Sequence, residues 1–357
     1  MAGVGLAGGL LVAAVVCATS GCSAVAYYAQ SVNGHLDLLQ RARPVSQWMD
    51  DAQTDAKLKQ RLVLSQEIRD YAVTELALPD NASYRRYADL QRPAAVWNVV
   101  AAPELSLTLE TWCFLVVGCV SYRGYFDQAA AESYAVELRA RGLEVAVYGV
   151  PAYSTLGKLP FDAMADPLLN TFIHYPQGEL ARLMFHELAH QVVYAADDTV
   201  FNESFATAVE RIGGSRWMSA DQRGAARDEY LRFDARRVQF RTLTQRYRER
   251  LRALYASTAP DHDKRSAKAA AMAQLRIDYE QLKTESWGGF AGYDAWFSRA
   301  NNASFGVLAA YGDLVPGFEQ LFERQGRDFP RFYNEVRRLA ALPKQDRRAA
   351  LTALSGD

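Results

Sequence analysis

The stretch Glu179-Leu180-Ala181-Arg182-Leu183-Met184-Phe185-His186-Glu187-Leu188-Ala189-His190-Gln191-Val192-Val193 decides how this chain is read. Leu180, Leu183, Met184, Leu188, Val192 and Val193 recur at helical spacing, which predicts one helix from Glu179 to Ala195. His186 and His190 are four residues apart and therefore share a face of that helix, one turn from each other. Two neutral imidazole nitrogens so placed can hold one Zn²⁺ at about 2.0–2.1 Å. Glu187, beside the first of them, is placed to take a proton from a water that the metal has acidified. Two of the chain's five His are spent on this motif.

A catalytic zinc takes three protein ligands and keeps a fourth position open. Asn202-Glu203 follows, opening a second helix expected from Phe201 to Ile212, with Asp197-Asp198-Thr199 supplying capping residues and Gly213-Gly214 the stop. A helix and turn of this length can return Glu203 to the metal as the third ligand. Glu210 lies two turns further along roughly the same face, as an alternative ligand or as acceptor for the free N–H of a ligating His.

Working outward, Ser46 to Leu78 is expected to be one long amphipathic helix ending before Pro79. Val96 to Ala101, Phe114 to Tyr122 and Leu143 to Val150 are rich in branched and aromatic residues and read as strands, with a helix at Asp127 to Arg141 between the last two. From Arg216 to about Lys283 the chain is Arg-rich and helix-periodic, suggesting a helical hairpin. Asp228, Glu229, Asp234 and Glu249 interleave with its arginines, so the run reads as a solvated face and not as a nucleic-acid footprint. The whole chain agrees. Its 357 residues are 50% hydrophobic and 23% charged with a formal net charge of −1, which excludes a disordered or multi-span membrane protein and any basic field for nucleic acid.

The expected class is α+β with a mixed sheet and a mainly helical C-terminal half, divided as 1–21 signal peptide, 22–90 helical scaffold and 91–357 catalytic domain carrying the hairpin at about 216–283. Met1 to Ser20 carries no charged side chain, and Leu6 to Ala18 has the length of a signal-peptide core. Thr19-Ser20-Gly21-Cys22 resembles a bacterial lipobox, which implies cleavage before Cys22 and lipid on its sulfur, although Thr19 stands where Leu is usual and no Lys or Arg precedes the apolar core; a plain signal peptide or short anchor helix is the alternative reading. Export favours disulfides, and a bond between Cys113 and Cys119 or two buried thiols on one strand face are both open readings.

The motif with its downstream Asn-Glu helix resembles the gluzincin metallopeptidases. Ala152-Tyr153-Ser154-Thr155-Leu156-Gly157, Tyr122-Arg123-Gly124-Tyr125-Phe126 and Phe185 to Gln191 are similar to a family of bacterial predicted aminopeptidases, often lipoproteins, and the likeness extends through Asn301-Asn302-Ala303 and Tyr311 to Phe318. The resemblance implies a zincin-like fold, His186, His190 and Glu203 as Zn²⁺ ligands, Glu187 as general base, a peptide substrate and a membrane-anchored protein facing the periplasm. The Gly-x-Met-Glu-Asn element that binds the substrate amine in well-studied relatives is missing. Glu104, Glu110, Asp162 and Asp166 are candidates for that task, and envelope endopeptidase or non-catalytic zinc lipoprotein stand as alternatives. Tyr311 is taken as the oxyanion donor among His174, Tyr175, Tyr153 and Tyr311, and Arg123 is a candidate for a substrate carboxylate or, equally, for a salt bridge. His35 and His262 have no motif around them and are expected to be exposed.

Overall fold

The computed structural model describes residues 22–114, 118–155, 162–219, 224–310 and 312–355. In chain order its elements are α1 (Cys22–Arg41), β1 (Arg43–Pro44), α2 (Val45–Asp50), α3 (Ala56–Thr74), β2 (Arg86–Ala88), β3 (Val96–Pro103), β4 (Trp112–Phe114), β5 (Gly118–Val120), β6 (Arg123–Tyr125), α4 (Gln128–Ala140) and β7 (Leu143–Val150). There follow β8 (Leu168–Leu169), α5 (Gln177–Val192), α6 (Thr199–Met218), α7 (Gly224–Ala256), α8 (Asp261–Glu285), α9 (Asp294–Arg299), α10 (Asn302–Ala310), α11 (Val315–Arg324), α12 (Phe329–Ala340) and α13 (Lys344–Leu354). The chain is mixed α+β, with helices outweighing three small sheets.

The middle sheet runs β6-β3-β7, antiparallel throughout, with Asn98 opposite both Gly124 and Tyr148. Alternation along β3 gives it two apolar faces. Trp97, Val99 and Ala101 pack on Ala131, Ala135 and Leu138 of α4, while Val100 and Ala102 meet Ala303 of α10, together with Ala146 and Tyr148 of β7. A second sheet, β1-β2-β8, pairs β2 parallel to β8 and brings Leu168 and Leu169 into the main core, which draws on residues from Leu38 to Leu351. Helices α7 and α8 form a long hairpin with its own core of Phe240, Leu251, Leu275 and Tyr279.

Three local expectations are corrected. Ser46 to Leu78 holds two helices, α2 and α3, because Asp55 turns out of the helix and accepts from the N–H groups of Lys57 and Leu58, capping α3. Phe114 to Tyr122 is not one strand: Trp112–Phe114 and Gly118–Val120 are separate strands, β4 and β5, that pair antiparallel with Cys113 opposite Cys119, and the two cysteines are disulfide-bonded. The third is Gly213-Gly214, through which α6 continues to Met218. A Cβ at Gly213 would lie 2.9 Å from the Phe185 ring, and one at Gly214 2.8 Å from the Arg182 side chain. These glycines are packing surface, cut away so that α6 can lie against α5.

Arg69 of α3 is fully buried and donates to the carbonyls of Pro79 (2.6 Å), Ser83 (3.0 Å) and Asn81 (3.1 Å). It thereby shapes the turn that docks on α5, where the Asn81 amide donates to Gln191 and the Gln191 amide donates to Ser83. Arg69→Met leaves those carbonyls without a donor, and the expected outcome is a loss of about 3 kcal/mol in urea unfolding.

Candidate functional site

Helix α5 is almost wholly interior: Leu180, Ala181, Met184, Phe185, Leu188 and Ala189 are fully buried. Burial of those residues fixes the rotation of the helix and turns His186 and His190 toward α6. The α5–α6 connection is clamped by Asn202, whose side-chain carbonyl accepts from the Ala195 N–H while its amide donates to the Ala195 carbonyl, both at 2.8 Å. Asp198, 1% exposed, accepts from the Phe201 N–H at the start of α6 and pairs with Arg348 and Arg347 of α13. Glu203, one residue past the clamp, is thereby aimed back at α5.

The result is a cluster of acceptors. His186 Nε2 lies 3.3 Å from Glu203 Oε2 and 3.2 Å from His190 Nε2, and His190 Nε2 lies 3.7 Å from Glu203 Oε2. On the opposite side of its ring, His186 Nδ1 is 2.9 Å from Glu210 Oε2, and Glu210 is ion-paired with the nearly buried Arg182, which also meets Asp234 at 3.1 Å. An ionised carboxylate only accepts, so Nδ1 donates to Glu210, and Nε2 is the ring atom that would ligate a cation beside Glu203 and His190. Two imidazole nitrogens and a carboxylate, all within 4.8 Å of one another, are a donor set that suits a divalent transition-metal cation. His190 Nδ1 is buried without a hydrogen-bond partner among the described residues.

Charge settles consistently around this cluster. Burial opposes ionisation of Glu210, yet Arg182 and the His186 ring hold its carboxyl down to about 2. Burial works against a charged His186 as well, but its hydrogen bonds to Glu203 and Glu210 carry it well above the usual imidazole range. His190, with burial dominant, falls to about 4, so its ring is neutral at physiological pH. Burial raises Glu187 to about 7, partly offset by His186.

Other nominated residues divide cleanly. Tyr311 lies outside the described residues. His174 and Tyr175 are exposed, and Tyr153 packs its ring on Phe126 and His35. His35 is thus half-buried rather than exposed, because Tyr153 covers it; His262 is exposed beside Asp263. Arg123 stacks on Tyr27 and Tyr134, 4.1 and 4.5 Å from their ring centres, so its guanidinium is occupied in an aromatic sandwich. Glu104 is tied to Arg265, Glu110 is half-buried and Asp162 is exposed. Asp166 is 2% exposed and its field reaches Glu187. It accepts from the Thr155 N–H (2.9 Å) and the Ser154 hydroxyl (3.2 Å).

Sequence reasoning passed over the phenols on the inner side of the middle sheet. Burial first, then the Glu203 carboxylate, pushes Tyr122 up, and Tyr148 to about 12, with Asn98 hydrogen-bonded to the latter. Tyr194 feels the same carboxylate after its own burial. The signal for Tyr148 was available in the strand alternation of Leu143 to Val150, which puts it on the face shared with Ala146. Arg182 and Asp234 were also missed, since nothing local links residues 52 positions apart.

Two outcomes follow. Glu210→Gln removes the charge that fixes the His186 tautomer, and affinity for a divalent metal ion measured by competition with a chromogenic chelator is expected to fall 10–100-fold. Asp166, raised from 3.8 to about 6 by burial despite its Thr155 and Ser154 hydrogen bonds, binds its proton more tightly when folded. Its contribution to stability is present below about pH 4 and is lost as pH rises through 6, a loss on the order of 3 kcal/mol. Urea titrations are expected to show a flatter stability profile across that window for Asp166→Asn.

A family model described as "Putative aminopeptidase" matches residues 26–351. No curated protein and no solved structure matches the chain. A match over nearly the full length, taking in the His-His-Glu cluster and both of its helices, makes the chain a member of that aminopeptidase family.

Proposed function

We propose that the chain is a zinc-dependent aminopeptidase of zincin-like, gluzincin type, exported and held at a bacterial membrane by lipid on Cys22, facing the periplasm. The observation that carries the reading is the polarised ring of His186: its Nδ1 is committed to Glu210, and its Nε2 faces Glu203 and His190. His186, His190 and Glu203 would hold the metal. Zinc bound there supplies Lewis-acid polarisation of a peptide carbonyl and lowers the pKa of water toward 7.

The chain's own residues do the rest. Glu187, half-buried beside His186 with desolvation raising its carboxyl to about 7, accepts a proton from the attacking water and returns it to the departing amine. Tyr122 and Tyr148, whose phenols feel the Glu203 charge, join Tyr311 as donors to the developing oxyanion. Asp166 is the one nominated carboxylate that combines burial with a field at Glu187, so it is assigned to hold the substrate's ammonium.

Glu187→Gln is expected to retain stoichiometric zinc and to lose at least about 10²-fold in kcat/KM on free-amino peptides. Unchanged cleavage at full zinc content contradicts the mechanism. Cleavage of amino-blocked peptides by the parent enzyme would make it an endopeptidase, and zinc without cleavage of either set a non-catalytic lipoprotein.

A further inference from the structure

The chain carries no charged side chain from Met1 to Leu36, and the first is Asp37. Its last 15 uncharged residues are the first 15 of α1, which begins at Cys22. This helix is not a free tether. Gln30 donates to the Gly124 carbonyl at 3.3 Å and accepts from the Phe126 N–H at 3.1 Å. The Phe126 ring fills the space where a Cβ on Gly34 would stand, the Tyr27 ring stacks on Phe114, and Leu38 is 1% exposed in the main core.

The other side of α1 is open, with an apolar stripe bordered by exposed Asn33 and Gln40. Tyr28, Val32 and Leu36 follow one another at four-residue steps, on one face, and are 42%, 56% and 43% exposed. A helix with one side welded to the body and an apolar stripe with uncharged polar neighbours on the other has the pattern of an interfacial segment, with a tyrosine toward its membrane-entry end. Among the described residues no helix is long and apolar enough to cross a membrane.

We propose that the Tyr28-Val32-Leu36 face of α1 lies on the lipid bilayer surface, so that the body sits directly on the membrane instead of hanging from a linker. The occupant follows from what precedes the helix. The uncharged segment 1–21 ends where α1 starts, so under the anchored reading on which this inference rests, Cys22 delivers the helix to the bilayer. At 1.5 Å per residue the stripe ends only about 21 Å along the helix axis from that point. Because α1 is hydrogen-bonded to the β6 edge, whose preceding residue Tyr122 feels the Glu203 charge, the distance from bilayer to site is fixed by the fold.

The test uses the full chain, expressed with its own N-terminus and reconstituted in vesicles of phosphatidylethanolamine and phosphatidylglycerol. A polarity-sensitive fluorophore is attached at Val32→Cys and, as control, at Ile277→Cys on the far hairpin, where the native side chain is 60% exposed. A blue shift at position 32, with quenching by a lipid-chain-borne quencher, and neither at position 277, is the result expected. Solvent-like emission at 32 in a membrane-bound protein overturns this inference and leaves the anchored reading intact. A blue shift without lipid quenching, with cross-linking between copies, assigns the face to a second copy and also overturns it. Absence of the protein from the membrane fraction overturns both.

Discussion

The site depends on how closely two helices approach. α6 lies against α5 at a spacing that Gly213 and Gly214 permit, with Phe185 and Arg182 filling the room their missing side chains leave. At that spacing Glu203 and Glu210 both reach His186, from opposite sides of its ring. A side chain at either glycine pushes the helices apart where Arg182 crosses to Glu210, and the acceptor cluster opens. Packing in the interior is dense enough that such a displacement is transmitted rather than absorbed.

The charged groups around the cluster are arranged to make this burial tolerable. Arg182, Glu210 and His186 are interior or nearly so, and each meets a partner of complementary chemistry. Removing one member strands the others in a medium that solvates them poorly, which is why buried pairs of this kind are expensive to break even where their net contribution to stability is small. The network reaches outward through Asp234 to α7, and Arg237 of the same helix makes a two-pronged contact with Glu179 in the first turn of α5. The Arg-rich hairpin is thus tied to the helix that carries the His pair, and part of its positive charge is structural.

How much of this was legible follows from the range over which each signal acts. The helix bearing His186 and His190 follows from local periodicity, and the start of α6 from Asp198, because capping is decided within a few residues. Strands β3 and β7 of the middle sheet were visible as runs of branched and aromatic residues, whereas β6, three residues long, was not. Gly213-Gly214 misled, since a glycine pair is both a helix-ending signal and a close-packing surface, and only the partner helix distinguishes the two. Asp51 to Asp55 interrupted a periodic run because the Asp55 cap outweighed the apolar pattern on either side. The Asp198 pairing with Arg348 joins residues 150 apart, and the Arg182 pairing with Asp234 joins residues 52 apart. Such contacts belong to the tertiary fold and leave no trace in local sequence.

The claim on which the account rests is that His186, His190 and Glu203 bind one zinc ion. X-ray absorption at the zinc edge of the purified protein addresses it directly. The account predicts a low-coordinate shell of nitrogen and oxygen at about 2.0–2.1 Å containing two imidazoles, and loss of one imidazole contribution in His190→Ala. A shell containing sulfur at about 2.3 Å, or the parent spectrum unchanged in His190→Ala, would contradict it.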